Sequence, residues 1–287
     1  MRYRPLTLAV PILALALLAG APAETWAQGR TRAQRGGGEW EARKLARHNH
    51  EVQQLLKRVG EARDLLLAED HEAGLPVTAV LMQRLAPSIV KEDSTAFDLM
   101  GHLYTLHALA LVGTGSDEEG LWHWGMARSL SDSVAGTPLE AYGEAGRRLA
   151  ELSEGSENRC RSPAELAGKG DPDDEVPQGE EAGEGGGGDD TEPRPAESPV
   201  QPPVKVHAPA PSYTQAARWA GIEGMIILQG AIEESGRVGR VCVLRADAAV
   251  FAHVGAQALK RWRFKPATQD GEPTRTYYNI TQNFTLH

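Results

Sequence analysis

Cysteine is scarce in this chain of 287 residues, which has only Cys160 and Cys242. No cysteine precedes position 160, so the lipid-modified N-terminal cysteine of a lipoprotein is excluded. The two thiols could form a disulfide in an exported protein. Because Cys160 lies at the edge of a segment of low complexity and Cys242 in a predicted strand, the sequence favours two free thiols.

An excess of basic residues is also missing. The formal net charge is -9, and residues 168–200 alone contain eleven acids and two bases. That segment accounts for the whole net charge, and the rest of the chain is balanced at 28 residues of each sign. We therefore do not expect a nucleic-acid-binding protein, since such proteins present a basic face.

Catalytic signatures are absent. The sequence has no G-x-S-x-G element, no Walker loop and no paired-cysteine motif. The "HNH" at 48–50 lies in a predicted amphipathic helix, and His102, His107 and His123 lack the spacing of a zinc site. We expect no enzyme activity, no cofactor and no metal ion.

The N-terminus has the pattern of an export signal over residues 1–27. Arg2 and Arg4 precede a 19-residue stretch without charge, and "APA" and "TWA" offer small residues for cleavage. The stretch is only just long enough to span a membrane. Two prolines and a glycine interrupt it, so cleavage is favoured, with an uncleaved inner-membrane anchor as the alternative.

Residues 38–153 are predicted to be helical. Apolar residues recur at helical spacing from Trp40 to Leu67, and two further helices are predicted at Phe97–Val112 and Glu118–Leu130. This last pair resembles one tetratricopeptide-type hairpin, although His107 takes a position usually held by leucine. A plain helical hairpin in a small bundle is equally open. The residues that match the repeat are Tyr104, Ala108, Leu111, Gly120, Trp124 and Ala127.

Residues 154–205 are predicted to be a disordered linker. Glycine, proline and acids dominate "GDPDDEVPQGEEAGEGGGGDDTEPRPAESPVQPP", and too few apolar side chains remain to offset the entropy of ordering. A flexible chain of this length has a root-mean-square span of roughly 40 Å. We expect the two flanking regions to fold separately, with the C-terminal one moving on this tether.

Residues 206–287 carry an alternation of helix and strand signals. Ser212 can cap a short helix that stops at Gly221, and "GMIILQGAIEESGRVGRVCVLRA" predicts two strands about a Ser-Gly turn. Asp247 can cap a second helix, Ala248 to Trp262. This order predicts an α+β domain: a three-stranded antiparallel sheet with two helices on one face.

The last predicted strand, Arg275 to Leu286, has two different faces. Tyr278, Ile280 and Phe284 alternate with amide and hydroxyl side chains. The apolar face suits packing against the helices, and the polar face suits water.

This segment resembles the C-terminal domain of TonB, the periplasmic energy transducer of Gram-negative bacteria. The resemblance covers about 80 residues, little more than a quarter of the chain. The matching pieces are "PSY" (211–213), "GIEG" (221–224), "SGRV" (235–238), "ALKRWRFKPA" (258–267) and "GEP" (271–273).

The resemblance implies a mechanical function. TonB binds a short extended segment of an outer-membrane receptor, the TonB box, by adding it as a strand to its own sheet. Proton-motive force, harnessed by inner-membrane partner proteins, thereby reaches receptors that import iron chelates, cobalamin and similar nutrients. The implied location is the periplasm.

The resemblance also assigns residues. It implies a structural core of Gly224, Gly236, Phe251, Trp262, Phe264, Pro266 and Phe284. It implies contact with the partner by Pro211, Tyr213, Arg275, Tyr277, Asn279, Thr281 and Asn283. The cations between the aromatics of "KRWRFK" then point outward or flank the core.

Three departures keep a second interpretation open. The N-terminal run has no histidine and looks cleavable, a helical region stands where TonB has only a linker, and the family's "YP" is here Tyr213-Thr214. The alternative is a periplasmic adaptor that uses the TonB-like domain to hold a partner without transducing energy. Contact with proton-motor proteins and homodimerisation also stay open.

Overall fold

The computed structural model describes residues 38–154, Cys160 and residues 200–286. The predicted export signal and nearly all of the predicted linker lie outside the described residues, so their boundaries stay predictions. Within the described part of the chain, no helix is long and apolar enough to cross a membrane.

Helices form the first part of the chain, as the sequence predicts. They are α1 Gly38–Leu67, α2 His71–Val80, α3 Ser94–Gly113, α4 Asp117–Leu130, α5 Asp132–Ala135 and α6 Gly143–Glu154. Helices α3 and α4 form the predicted hairpin, and three acids occupy the first turn of α4. The pair approaches closely at Gly120, where an added Cβ would lie 2.5 Å from a methyl group of Val112.

The second part is an α+β domain. Its elements are β1 Val204–His207, α7 Gln215–Ala220, β2 Gly224–Ile232, β3 Val238–Ala246, α8 Ala249–Lys260, β4 Arg263–Lys265, β5 Ala267–Gln269, β6 Glu272–Thr274 and β7 Thr276–Phe284. Strands β3, β2 and β7 form an antiparallel sheet in that order, which confirms the predicted fold. Two further two-stranded ribbons, β1–β4 and β5–β6, are not predicted by the sequence pattern.

Two predicted helix caps are wrong. Thr214, not Ser212, begins α7, and its hydroxyl accepts a hydrogen bond from the backbone N–H of Ala217 at 3.1 Å. Asp247 does not cap α8 but accepts from the backbone N–H of Met225 at 2.8 Å, so it closes the end of the β2–β3 pair. Gly221 ends α7 in the left-handed conformation, as expected.

Helix α8 is buried on both sides. Every residue from Ala248 to Ala256 is buried. On the sheet side, the ring of Phe251 stacks on Phe284 with centroids 4.2 Å apart. On the other side, His253 meets Tyr104 of α3, with the tyrosine hydroxyl 2.9 Å from Nδ1. A helix that is apolar all round needs a cover on each face, and the helical region supplies the second one.

The helical region therefore docks on the C-terminal domain, and the buried side chains of both form one continuous core. At the end of α8, Lys260 pairs with Glu119 and its ammonium lies 4.3 Å from the ring centre of Trp122. The prediction of two separately folded regions, one free to move on a tether, is wrong for the described residues.

A disulfide joins Cys160 to Cys242 of β3, with their Cα atoms 5.3 Å apart. The preference for two free thiols is thus wrong. Docking places α4 alongside β3, and the sulfur of Cys160 lies 3.4 Å from where a Cβ of Gly125 would stand. Sequence spacing could not reveal this, because the two cysteines are 82 residues apart and meet only through tertiary packing.

Candidate functional site

Strand β7 is one edge of the three-stranded sheet. It pairs with β2 from Thr276 to Phe284 without a bulge. Among the described residues, no further strand pairs with its other side. This agrees with the predicted position of the last strand at a sheet edge.

The direction of the peptide groups along β7 follows from a contact at the end of β2. The N–H and C=O of Met225 both bond to Asp247, on the β3 side. Met225 lies opposite Asn283, and opposed residues of an antiparallel pair point either toward each other or both away. The peptide groups of Asn283 thus point away from β2, and alternation extends this direction to Tyr277, Asn279 and Thr281.

The side chains of these residues lie on the face of the sheet away from α8. Tyr277 is 43% exposed, and Thr281 and Asn283 are exposed as well. Asn279 is half-buried, and its Oδ1 accepts from Nε2 of Gln229 at 3.1 Å. Polar side chains on an edge strand keep it soluble until a partner arrives.

Arg275 immediately precedes β7 and marks one end of this edge. Its Nε lies 3.3 Å from Oε1 of Glu233, and its guanidinium lies 5.9 Å from the ring centre of Tyr277. The cation is thereby positioned beside the first outward-facing residue of the edge.

Tyr213 lies at the other end of β7, on the helix side. Its ring packs edge-on against Phe251 and Phe284, and its hydroxyl donates to the carbonyl of Ile222. Partial burial and the carboxylate of Glu223 raise the pKa of Tyr213, so the hydroxyl keeps the proton that it donates. The observed contacts of Tyr213 are those of a supporting residue, and Pro211 beside it is half-buried.

The predicted structural residues build the frame behind the edge. Trp262 is 8% exposed, and its indole N–H donates to the carbonyl of Pro209 at 3.0 Å. Gly236 has φ of 75°, and a Cβ there would stand 2.0 Å from the carbonyl oxygen of Phe264. Gly224 leaves only 2.8 Å between an added Cβ and that of Asp247. Pro266 is half-buried and separates β4 from β5.

The sequence did not predict two side-chain contacts. Lys205 of β1 lies over the rings of Trp262 and Tyr278, at 5.5 and 5.7 Å from their centres. His253 carries the contact to α3. The sequence of α8, "AVFAHVGAQALK", signals the second: with alanine, valine, phenylalanine and leucine on every side, this helix is too apolar for a free face.

The described residues contain no group of three or more His, Cys, Asp or Glu that could hold a metal ion. The arrangement instead offers a row of backbone donors and acceptors on a rigid support. Its chemistry is that of a surface for protein contact through hydrogen bonds.

Two comparisons with known proteins found a match to the C-terminal domain. The family model described as "Gram-negative bacterial TonB protein C-terminal" matches residues 209–286. Among solved structures, the solution NMR structure of the Pseudomonas aeruginosa TonB C-terminal domain is similar at 25% identity, over 29% of this chain and 86% of that chain, with a TM-score of 0.27. Comparison with curated proteins found no match. The C-terminal domain of this chain belongs to the TonB C-terminal family.

Proposed function

We propose that this protein is a TonB-like exported protein that binds outer-membrane receptors by strand addition at β7. The observation that carries the proposal is the row of outward peptide groups at Tyr277, Asn279, Thr281 and Asn283. An extended segment laid along this edge would satisfy them by main-chain hydrogen bonds, which is the mode of β-augmentation.

The chemistry of this edge suits a general transducer. Backbone hydrogen bonds depend little on the side chains of the partner, and each contributes about 0.5–1.5 kcal/mol net. One edge could therefore serve several receptors that share an extended segment such as the TonB box. Arg275 and Tyr277 at one end, and Pro211 with Tyr213 near the other, would set the length and register of the bound segment.

The wider role follows from the family. We propose a periplasmic location, soluble if residues 1–27 are cleaved and anchored in the inner membrane otherwise. The receptors served would import iron chelates, cobalamin or similar nutrients, and energy would come from proton-motor proteins of the inner membrane. The role is non-catalytic, and no cofactor is required. Homodimerisation stays an open proposal.

A second candidate, a periplasmic adaptor, is favoured by the docked helical region. The disulfide and the shared core hold the TonB-like domain against α3 and α4. In this arrangement the domain does not extend on a free tether. An adaptor would use the same β7 edge to hold a partner while the tetratricopeptide-like hairpin contacts another protein.

The proposal is tested by titrating the full chain with TonB-box peptides and following backbone amide shifts by NMR. We expect shifts at Tyr277, Asn279, Thr281 and Asn283, and none on α3 or α4. The same peptides with one central residue replaced by proline, which removes a backbone donor, are the control. Shifts confined to the helices, or no shifts with any receptor peptide, would reject strand addition at β7.

The transducer and the adaptor differ at the N-terminus and in coupling. Intact mass of the exported protein separates them: a mature start near Glu24 or Gln28 favours the adaptor, and a retained Met1 favours the transducer. Cross-linking to inner-membrane partners that disappears when the proton gradient is collapsed would support the transducer directly.

A further inference from the structure

Three buried histidines lie between the helical region and α8. His107 of α3, His123 of α4 and His253 of α8 are 9%, 8% and 6% exposed. The fully buried ring of Tyr104 lies against two of them, with centroids 5.6 Å from His123 and 5.8 Å from His253. The proposed binding edge uses none of these side chains.

Two of the histidines donate a hydrogen bond from Nδ1. The hydroxyl of Thr78 donates to the carbonyl of Leu75 at 3.0 Å, so it accepts from Nδ1–H of His107 at 2.9 Å. Nδ1–H of His123 donates to the carbonyl of Glu119 at 2.8 Å. The two imidazole centroids are only 4.7 Å apart, so two protons there would place like charges in direct contact in a dry site.

The third histidine carries the hydrogen bond across the interface. Burial raises the pKa of Tyr104 far above its ordinary value, so its hydroxyl stays protonated. With Nδ1 of His253 unprotonated, the hydroxyl donates to it at 2.9 Å. Because the hydroxyl oxygen can also accept, a second proton on His253 would reverse this bond and place a positive charge on a residue that is only 6% exposed.

The charged groups around the cluster only partly offset the effect of burial. Glu119 and Lys260 face it, and they form an ion pair with each other. Burial lowers the pKa of His107 to about 4, with Glu119 opposing and Lys260 assisting. Burial, followed by the charge of His107, lowers the pKa of His123 to about 3. Burial alone lowers the pKa of His253 to about 4.

We propose that this cluster is a pH-sensitive latch: acidification releases the helical region from α8 and exposes the outer face of that helix. The disulfide between Cys160 and Cys242 lies outside the cluster and would keep the released region attached, so the opening is reversible.

The direction in which pH changes the stability of docking follows from proton linkage. The docked state holds the histidines neutral, whereas the released state lets them take up protons at an ordinary pKa of 6.5. Docking is fully stable above that value and weakens as pH falls from about 6.5 toward 4. At pH 5 each excluded proton weakens the docking equilibrium by about 30-fold.

The test compares the full chain with its His107→Leu variant at pH 7.5 and 5.0. The readouts are binding of an apolar dye, radius of gyration and far-UV circular dichroism. At pH 5.0 we expect the wild type to bind dye and expand while its secondary structure is retained. His107→Leu should open less, by about 30-fold in the equilibrium, because one proton site is removed. His50→Leu, an exposed position on α1, is the matched control and should behave as the wild type.

If His107→Leu does not fold, the wild type alone can test the proposal. NMR titration of the imidazole C–H signals in the wild type should show His253 neutral well below pH 6, with line changes at the opening transition. Ordinary titration of the three histidines near 6.5 in the docked protein would overturn the latch. Loss of secondary structure together with dye binding would do so too, since it would indicate global unfolding.

Discussion

The two edges of the three-stranded sheet have opposite surroundings. Strand β3 lies against α4 and is bonded to the chain through Cys160–Cys242. Strand β7 presents outward peptide groups and polar side chains. An open sheet edge promotes aggregation unless it is used or protected. Covering β3 leaves β7 as the edge at which the proposed strand addition would occur.

The difference also shows what the helical region does for the domain. It covers the outer face of α8 and the β3 edge together, and it reaches α7 through the contact of His48 with Trp219 at 5.2 Å. The TonB-like domain therefore keeps β7, the edge that we propose for docking, uncovered by the described residues within a larger folded body. Four sets of substitutions test this difference between the two edges.

The largest effect is expected at Trp262, which is 8% exposed and packs against Phe264. Trp262→Ala should destabilise the protein by about 3–5 kcal/mol, because it removes a large buried aromatic side chain and leaves a cavity. Chemical denaturation measures the loss. An unchanged free energy of unfolding would show that the indole ring serves a partner instead of the core. Arg261→Ala, at the neighbouring exposed position, is the control.

Removing the disulfide should destabilise the protein at the β3 edge without affecting the β7 edge. Cys160→Ser with Cys242→Ser should lower stability by roughly 2–4 kcal/mol, since the bond constrains a long loop in the unfolded chain. Thermal unfolding measures this loss, and peptide affinity at β7 should stay the same. A drop in peptide affinity together with the loss of the disulfide would mean that the two edges are coupled.

Proline on the open edge should affect binding more than folding. Thr281→Pro removes an outward N–H, so peptide affinity should fall by about tenfold, or ~1.4 kcal/mol, while the domain stays folded. Asn279→Pro should act in the same way, because its N–H points in the same direction. The matched variant Gln282→Pro removes a donor that faces Ile226 of β2 and should instead lower stability. Equal peptide affinity in Thr281→Pro and wild type would contradict docking at this edge.

The smallest effect is expected at Lys260, where the helical region meets the end of α8. The side chain of Lys260 is 27% exposed and that of its partner Glu119 is 52% exposed, so solvent screens the pair. Lys260→Ala should cost about 1 kcal/mol or less, including the contact with Trp122. Calorimetry measures it, and Lys260→Met, which keeps the apolar stem, should recover part of the loss. A cost of several kcal/mol would show that this pair is a principal contact of the interface.

Much of the C-terminal domain could be predicted from the sequence because its signals are local. Alternation along β7, the Ser-Gly turn and the left-handed Gly221 each depend on a few neighbouring residues. The caps were harder, since Thr214 and Ser212 are chemically alike, and only the backbone angles decide which one begins α7. Short ribbons such as β5–β6 are too brief to give a periodic pattern.

The candidate site was predictable in position but not in detail. The resemblance to the TonB family indicated the last strand, and the polar face of that strand was visible in its alternation. Which peptide groups face outward depends on the bond between Met225 and Asp247, which are 22 residues apart. The support of Trp262 by the carbonyl of Pro209 likewise spans 53 residues.

By itself, the sequence determined the class of each region, the order of the main elements and the family of the C-terminal domain, because these follow from local periodicity and short motifs. The tertiary structure alone decided that the two regions dock, that Cys160 meets Cys242, and that His107, His123 and His253 share one buried site. The physical reason is that docking depends on whether two apolar surfaces fit each other. The sequence of α8 predicts that its outer face is buried. It does not indicate which distant helix buries it.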